Sequence, residues 1–430
     1  MTVRPHPVLV ALACAALVAA CAAAEAAEST RPTATLRSSD ATSLRSTSVG
    51  AIRWDGWWRG SPYAACLDPA QWRHRLPFYG KAVGPDKVEL SPESQQVMDA
   101  EIAYARQAGL SYWAFDYYQP KSWDKADAYN YGLRLYLSSR HKLGLNFCLI
   151  LLPPGSLGPA AEWPATVATL VEWFRRPDYQ KVPGNRPLVY FFTGDEVEKF
   201  FGSKAAARAG LDTLRRKAVD AGLGPPYLVA QVWSAQAGAD CVSKYGFDAI
   251  SAYAMLDFSG GNQEYPYGAL AAAAQSYWDA CKATGKQVVP LAMAGWDKRP
   301  LLGDAWKTLY PPQRPGPWYA APTPAELAEH VAAALEWNAR NAALRQAQDR
   351  PAPPGQGRPE PRRGAACAEA NTVLIYAWNE SGEGGWLVPT LNEGSARIAA
   401  LRKVLRSAQR GNKGAAGGTG LRASENREAP

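Results

Sequence analysis

Two glutamates three residues apart, Glu380 and Glu383, stand in the stretch AWNESGEGGW at 377–386. An asparagine precedes the first, glycines surround the second, and a tryptophan stands near each end. Paired carboxyl groups can divide a reaction between them, one supplying a proton and the other removing one. Cleavage of a glycosidic bond needs such a pair. Sugar rings also pack their C–H faces on indole and phenol rings, and their hydroxyls bond Asp, Asn, Gln and Arg. The chain has sixteen tryptophans, more than a core requires.

The elements that must hold this pair can be read upstream. Short apolar runs rich in β-branched and aromatic residues alternate with helical patterns. The runs are VGAIRWDGW (49–57), LSYWAFDYY (110–118), LNFCLILLP (145–153), RPLVYFFT (186–193), PYLVAQVW (226–233), DAISAYAM (248–255), KQVVPLAMAGW (286–296) and TVLIYAWNE (372–380). Between them lie stretches such as 94–109 and 128–144, each closing on a glycine. Another begins at TPAE (323–326), with Thr as N-cap, Pro in the first turn and a capping Glu. Eight strands alternating with helices predict a single (β/α)₈ TIM barrel with long loops. A doubly wound open sheet is the alternative, but strand 1 runs into RWDGWWRGSPYAAC, which is no glycine-rich phosphate turn.

In such a barrel, chemistry belongs where strands end and the next loops begin. The strand ends are polar and aromatic here. They nominate Glu380 and Glu383 as catalytic residues. Trp54, Asp55, Asp116, Tyr117, Tyr253, Trp296, Asn379 and Trp386 are nominated as substrate-binding residues.

WNESGEG resembles the WNExxEG signature at the last strand of glycoside hydrolase family 99 and its wider group, which includes endo-acting α-mannosidases and α-mannanases. The apolar TVLIYA before it and LVP after it fit the same context, and fainter likeness covers most of 49–408. The resemblance implies a retaining glycosidase. Glu380 would be the base towards the sugar's 2-hydroxyl, forming a 1,2-anhydro sugar, and Glu383 the general acid/base. An acid must hold its proton at neutral pH, so Glu383 should be the more buried of the two or lie close to the other carboxyl. The chain departs from the family at Ser381, where members carry a bulky residue.

The termini and charge complete the expectations. MTVRPHP followed by VLVALACAALVAA reads as an export signal over 1–21, too short to span a membrane comfortably. Val18-Ala19-Ala20-Cys21 resembles a lipobox that would lipidate Cys21. Ala24-Glu25-Ala26 would suit ordinary signal peptidase instead. Residues 22–48 read as a flexible tether, 49–408 as the catalytic barrel, about 345–370 as a disordered insertion, and 409–430 as a disordered tail. The net charge of +8 comes from 401–430 and 345–366, so no basic stripe crosses the barrel and no nucleic-acid footprint is expected. Four scattered histidines without HxH or HExxH, and cysteines without CxxC, suggest no metal and no cofactor. The expected protein is an exported monomer, periplasmic, cell-surface or secreted. Its partner would be an oligo- or polysaccharide, and it would meet a membrane only through a lipid at Cys21. Two alternatives are a periplasmic polysaccharide-processing protein of an exopolysaccharide pathway and a non-catalytic glycan-binding lipoprotein.

Overall fold

The computed structural model describes residues 47–119, 126–153, 157–192, 194, 196–302, 316–348 and 370–410. The export signal with Cys21, nearly all of the tether, most of the insertion and most of the tail lie outside these residues.

Each of the eight apolar runs carries parallel strand. They are β1 (Ser48–Arg53), β2 (Tyr112–Tyr117), β3 (Asn146–Leu151), β4 (Arg186–Phe192), β5 (Tyr227–Gln231), β6 (Ala249–Ser251), β7 (Gln287–Val288), β8 (Leu291–Met293) and β9 (Thr372–Tyr376). Their order is β7-β6-β5-β4-β3-β2-β1-β9-β8. This is an open, curled parallel sheet surrounded by helices, a TIM-barrel-like α/β fold. It differs from eight uninterrupted strands in that the run at 286–296 is split into β7 and β8. Pro290 has no N–H to give to a ladder, so the run changes partners there. Val289 N donates to Ile250 O on β6 at 2.9 Å, whereas Pro290 O accepts from Leu374 N on β9 at 3.0 Å. The two edges of the sheet are therefore consecutive pieces of one segment.

Alternation along the strands sorts their side chains into two layers. On β2, Trp113 and Phe115 belong to the layer shared with Tyr136 of the following helix. Tyr112, on the other face, reaches Tyr190 Oη of β4 at 2.8 Å and Thr372 Oγ1 of β9 at 2.9 Å. Bonds from β2 to both β4 and β9 mark this face as the inside of the curl. Gly50 on β1 makes room for that ring, because a Cβ there would lie 2.2 Å from Tyr112 Cε2. Asp116 has the same parity as Tyr112.

The helices close as their caps require. Ser94 accepts from Val97 N before the helix Gln95–Ala108, and Gly109 ends it at φ 97°. Thr323 and Glu326 form the reciprocal capping box expected at TPAE: Glu326 Oε2 accepts from Thr323 N at 2.8 Å, and Thr323 Oγ1 accepts from Glu326 N at 3.2 Å. The stretch at 128–144 behaves differently. It yields two short helices, Ala126–Tyr129 and Tyr131–Ser138. Asn130 sits between them and pairs its amide with the backbone of Tyr118, donating to O at 2.6 Å and accepting from N at 3.2 Å. That clamp fixes the chain just beyond β2.

Candidate active site

The end of β9 leads into a tight hairpin. Asn379–Glu380 pairs antiparallel with Gly385–Trp386 across the 3₁₀ turn Ser381–Glu383. Gly384 closes the turn at φ 85°, and a Cβ there would lie 2.5 Å from Asp297 N. Only glycine fits both demands. Asp297 N donates to Glu383 O at 2.6 Å, tying the turn to the loop after β8.

The turn presents both glutamates to one cavity of about 250 Å³, lined by Trp54, Trp57, Tyr63, Asp116, Tyr118, Leu152, Phe192, Tyr253, Leu301, Glu380, Gly382 and Glu383. Of the ten residues nominated from sequence, five meet here: Glu380, Glu383, Trp54, Asp116 and Tyr253.

The two glutamates have different surroundings. Glu380 is 6% exposed, and its Oε1 lies 2.8 Å from the Tyr253 hydroxyl. That hydroxyl also lies 2.9 Å from Asp116 Oδ2. Burial pushes the Glu380 carboxyl well above the usual carboxylate range, and the charges of Glu383 and Asp116 add to the rise. The Tyr253 hydrogen bond and Lys298 act in the opposite direction. Burial raises Asp116 in the same sense, and its Oδ1 is buried without a partner. Glu383 is more open, with 21% of its side chain exposed. Its Oε2 accepts from Tyr376 Oη at 2.5 Å and its Oε1 faces Lys298 Nζ at 2.8 Å. The expectation that Glu383 is the more deeply buried is thus reversed, and it is the Glu383 charge that raises Glu380.

The other five nominated residues stand behind the cavity wall. Asn379 is 1% exposed and spends its amide on the backbone of Trp54, accepting from N at 3.0 Å and donating to O at 2.6 Å. It fastens the end of β1 to the hairpin and offers nothing to a sugar hydroxyl. Asp55 turns away to Arg53 Nε at 2.9 Å, in a buried group that joins Arg53 to Glu101 and Glu101 to the Trp378 indole. Tyr117 has opposite parity to Asp116, packs on Trp173 and donates to Gln119. Trp296 packs on Tyr376 and lies beneath Lys298 Nζ, 4.6 Å from the ring centroid. Trp386 is buried under Arg397 and borders a separate cleft with Trp72, Arg75 and Arg299.

Tyr376 and Lys298 escaped nomination although both hold Glu383. Strand parity carried the signal for Tyr376, which lies four residues before Glu380 on β9. Lys298 lies two residues past the run that carries β8, but a lysine's reach cannot be read from its position. Cys148 is fully buried in β3. Among the described residues no helix is long and apolar enough to cross a membrane, and no cluster of three or more His, Cys, Asp or Glu could hold a metal.

No protein-family model matches the sequence, and no curated protein matches it. Solved structures do resemble it. A glycoside hydrolase-like protein superposes with a TM-score of 0.53 at 10% identity, over 87% of this chain and 97% of that one. The family-99 endo-alpha-mannosidase from Bacteroides thetaiotaomicron, crystallised with BIS-TRIS-propane, gives 0.47 at 14% identity, over 86% and 98%. A family-5 lichenase from Caldicellulosiruptor sp. F32 gives 0.41 at 10%, over 88% and 99%. Identities this low speak to fold alone, and the first of these similarities carries it: the chain shares a TIM-barrel-like fold with a glycoside hydrolase-like protein.

Proposed function

We propose that the protein is an exported glycoside hydrolase that cuts an α-linked glycan such as α-mannan internally, with retention of configuration. The observation that supports this most is the pairing of Glu380 and Glu383 on one turn, open to one cavity walled by Trp54, Trp57, Tyr63 and Tyr118. Carboxylates of an ordinary retaining pair flank the scissile bond from opposite sides, about 5–5.5 Å apart. Two on one short turn more readily address neighbouring atoms of a single sugar. The resemblance of WNESGEG to the family-99 signature agrees with that use.

In the first step Glu380 takes the 2-hydroxyl proton and O2 attacks C1. The bond from C1 to the departing oxygen breaks, and Glu383 protonates that oxygen. A 1,2-anhydro sugar and a free chain end result. In the second step Glu383 takes a proton from water, whose oxygen opens the three-membered ring at C1, and Glu380 returns its proton to O2. Two inversions give net retention. In the free site Tyr376 donates to Oε2 of Glu383 and Lys298 stands 2.8 Å from Oε1, so the proton that Glu383 delivers must sit on an oxygen that already has one neighbour. Ser381, buried with an unpartnered hydroxyl, leaves Glu380 without the bulky neighbour common in the family.

The ion pair between Lys298 and Glu383 favours a second reading, in which the chain binds a glycan without cutting it, since both Glu383 oxygens already have partners in the free site. One experiment separates the two. The chain from Ala22 onward is incubated with α-mannans and other α-linked polysaccharides, and released oligosaccharides are detected by mass spectrometry. Release that Glu383→Gln abolishes supports the hydrolase. Binding without release supports the second reading.

A further inference from the structure

Aromatic surface continues out of the cavity along one side of its mouth. Phe192, at the end of β4, lines the cavity and packs on Tyr253 with ring centroids 5.0 Å apart. It also packs on Trp233, two residues beyond β5, at 6.1 Å. Trp233 in turn meets Phe258, in the segment after β6, at 5.7 Å with the rings nearly perpendicular. The last two stand in solvent, Trp233 43% and Phe258 57% exposed. The other large hydrophobic residues that stand exposed, among those described, are Val83, Leu143, Val219 and Leu391, all aliphatic. Exposed aromatic surface is thus concentrated beside the glutamates. Scattered apolar residues need no explanation, but a contiguous exposed patch marks a binding surface.

We propose that Trp233 and Phe258 form an aromatic shelf for the sugar residue next to the one held in the cavity. The inference rests on the glycosidase reading and specifies how an internal stretch of chain would be held. Its size selects the occupant. With about half of each side chain exposed, the two aromatics offer roughly 150–250 Å², well short of the about 800 Å² per partner that a stable protein interface needs. A pyranose ring, with an apolar C–H face, matches a shelf of one indole and one phenyl. Continuity through Phe192 and Tyr253 to Glu380 places that ring along the path of a chain entering the cavity.

Affinity electrophoresis tests this, using full chains that carry Glu383→Gln so that the polysaccharide stays intact. Gels contain soluble α-mannan, α-glucan or α-galactan. Trp233→Ala and Phe258→Ala are each expected to weaken binding of the retained polymer about tenfold, a typical scale for one lost aromatic contact. Trp233→Phe, which keeps a stacking face, should recover most of it. Val219→Ala, exposed on a helix elsewhere, serves as the surface control. The loss should be smaller for a monosaccharide glycoside, which cannot reach the shelf from the cavity. Unchanged polymer binding by Trp233→Ala would overturn the shelf while leaving the glycosidase reading intact. Equal losses for polymer and monosaccharide would also overturn it, since they would report a general disturbance of the site. Failure of the parent chain to bind or cut any polysaccharide would overturn the glycosidase reading and the shelf together.

Discussion

The Tyr253 hydroxyl lies 2.8 Å from Oε1 of Glu380, and Asp116 Oδ2 lies 2.9 Å from the same phenol oxygen. A phenol has one proton and can donate across only one of these contacts. The other contact must be donated by a carboxyl. Asp116 is the better donor, because its second oxygen is buried without a partner and an ionised carboxylate there would be uncompensated. The chain of donation then runs Asp116 to Tyr253 to Glu380, leaving Glu380 Oε2 as an acceptor towards the cavity. Such an acceptor is what a base on a sugar hydroxyl requires.

Removing the phenol should move the acidic side of the pH–rate profile. The Tyr253 hydrogen bond lowers the Glu380 pKa against the larger rise from burial. A base works only when ionised, so rate climbs as pH passes its pKa. Tyr253→Phe takes away the lowering influence, and the acidic limb should shift to higher pH. The buried oxygen left without its donor should cost about 1–3 kcal/mol, roughly 5- to 150-fold in rate. Measuring kcat/KM from pH 4 to 9 checks both effects; an unmoved limb would detach Tyr253 from the base.

Asp116→Asn should leave the same limb in place. Asp116 acts as a protonated, uncharged donor, and asparagine is also uncharged and can still donate to the Tyr253 oxygen. Activity should be retained near the optimum with the limb unmoved. A limb shifted to lower pH would mean that Asp116 is ionised and raises Glu380 by its charge. Asp116→Leu, which removes the donor, should lose activity. Equal loss in both variants would mean that Asp116 is needed as an anion.

Glu101 should matter to stability and hardly to chemistry. It is fully buried, accepts from Arg53 at 3.0 Å and from the Trp378 indole at 2.9 Å, and lies behind the cavity wall. Glu101→Ala leaves the buried Arg53 with Asp55 as its one remaining carboxylate partner in this group. Breaking a buried pair from one side costs about 3–5 kcal/mol. Denaturant unfolding should show that loss.

His330 should govern part of the acid stability. It is 3% exposed, stacks on Trp278 at 5.6 Å, and has neither ring nitrogen bonded. Burial lowers its pKa from the ordinary 6.5 to about 4. The unfolded chain therefore takes up this proton first as pH falls. The stabilising contribution is fully present above pH 6.5 and is lost as pH falls to about 4. The loss across that window is about 3 kcal/mol. His330→Phe keeps a ring against Trp278 and should flatten stability over that range in urea titrations at successive pH values.

The strands were legible because apolar runs separated by capped helices allow few other arrangements. The capping box at 323–326 was legible for the same local reason. The break at Pro290 was visible as a residue, but its effect depends on which neighbours each half finds. At the site, residue types were easier to read than directions. Asp55 and Asp116 both sit at strand ends, yet Arg53 draws the first away, and the parity of β2 turns the second inward. Asn379 looked like a sugar ligand and instead holds the backbone of Trp54. Lys298 came into play only once a loop placed its ammonium on Glu383.

The most direct test of the account compares a cleavable oligosaccharide with its analogue lacking the 2-hydroxyl on the sugar held in the cavity, under single-turnover conditions. If Glu380 forms the 1,2-anhydro sugar, the analogue has no nucleophile. It should bind and inhibit, but yield no product even at high enzyme concentration. Cleavage of the analogue within tenfold of the parent rate would contradict the role given to Glu380 and return the site to ordinary oxocarbenium-type hydrolysis.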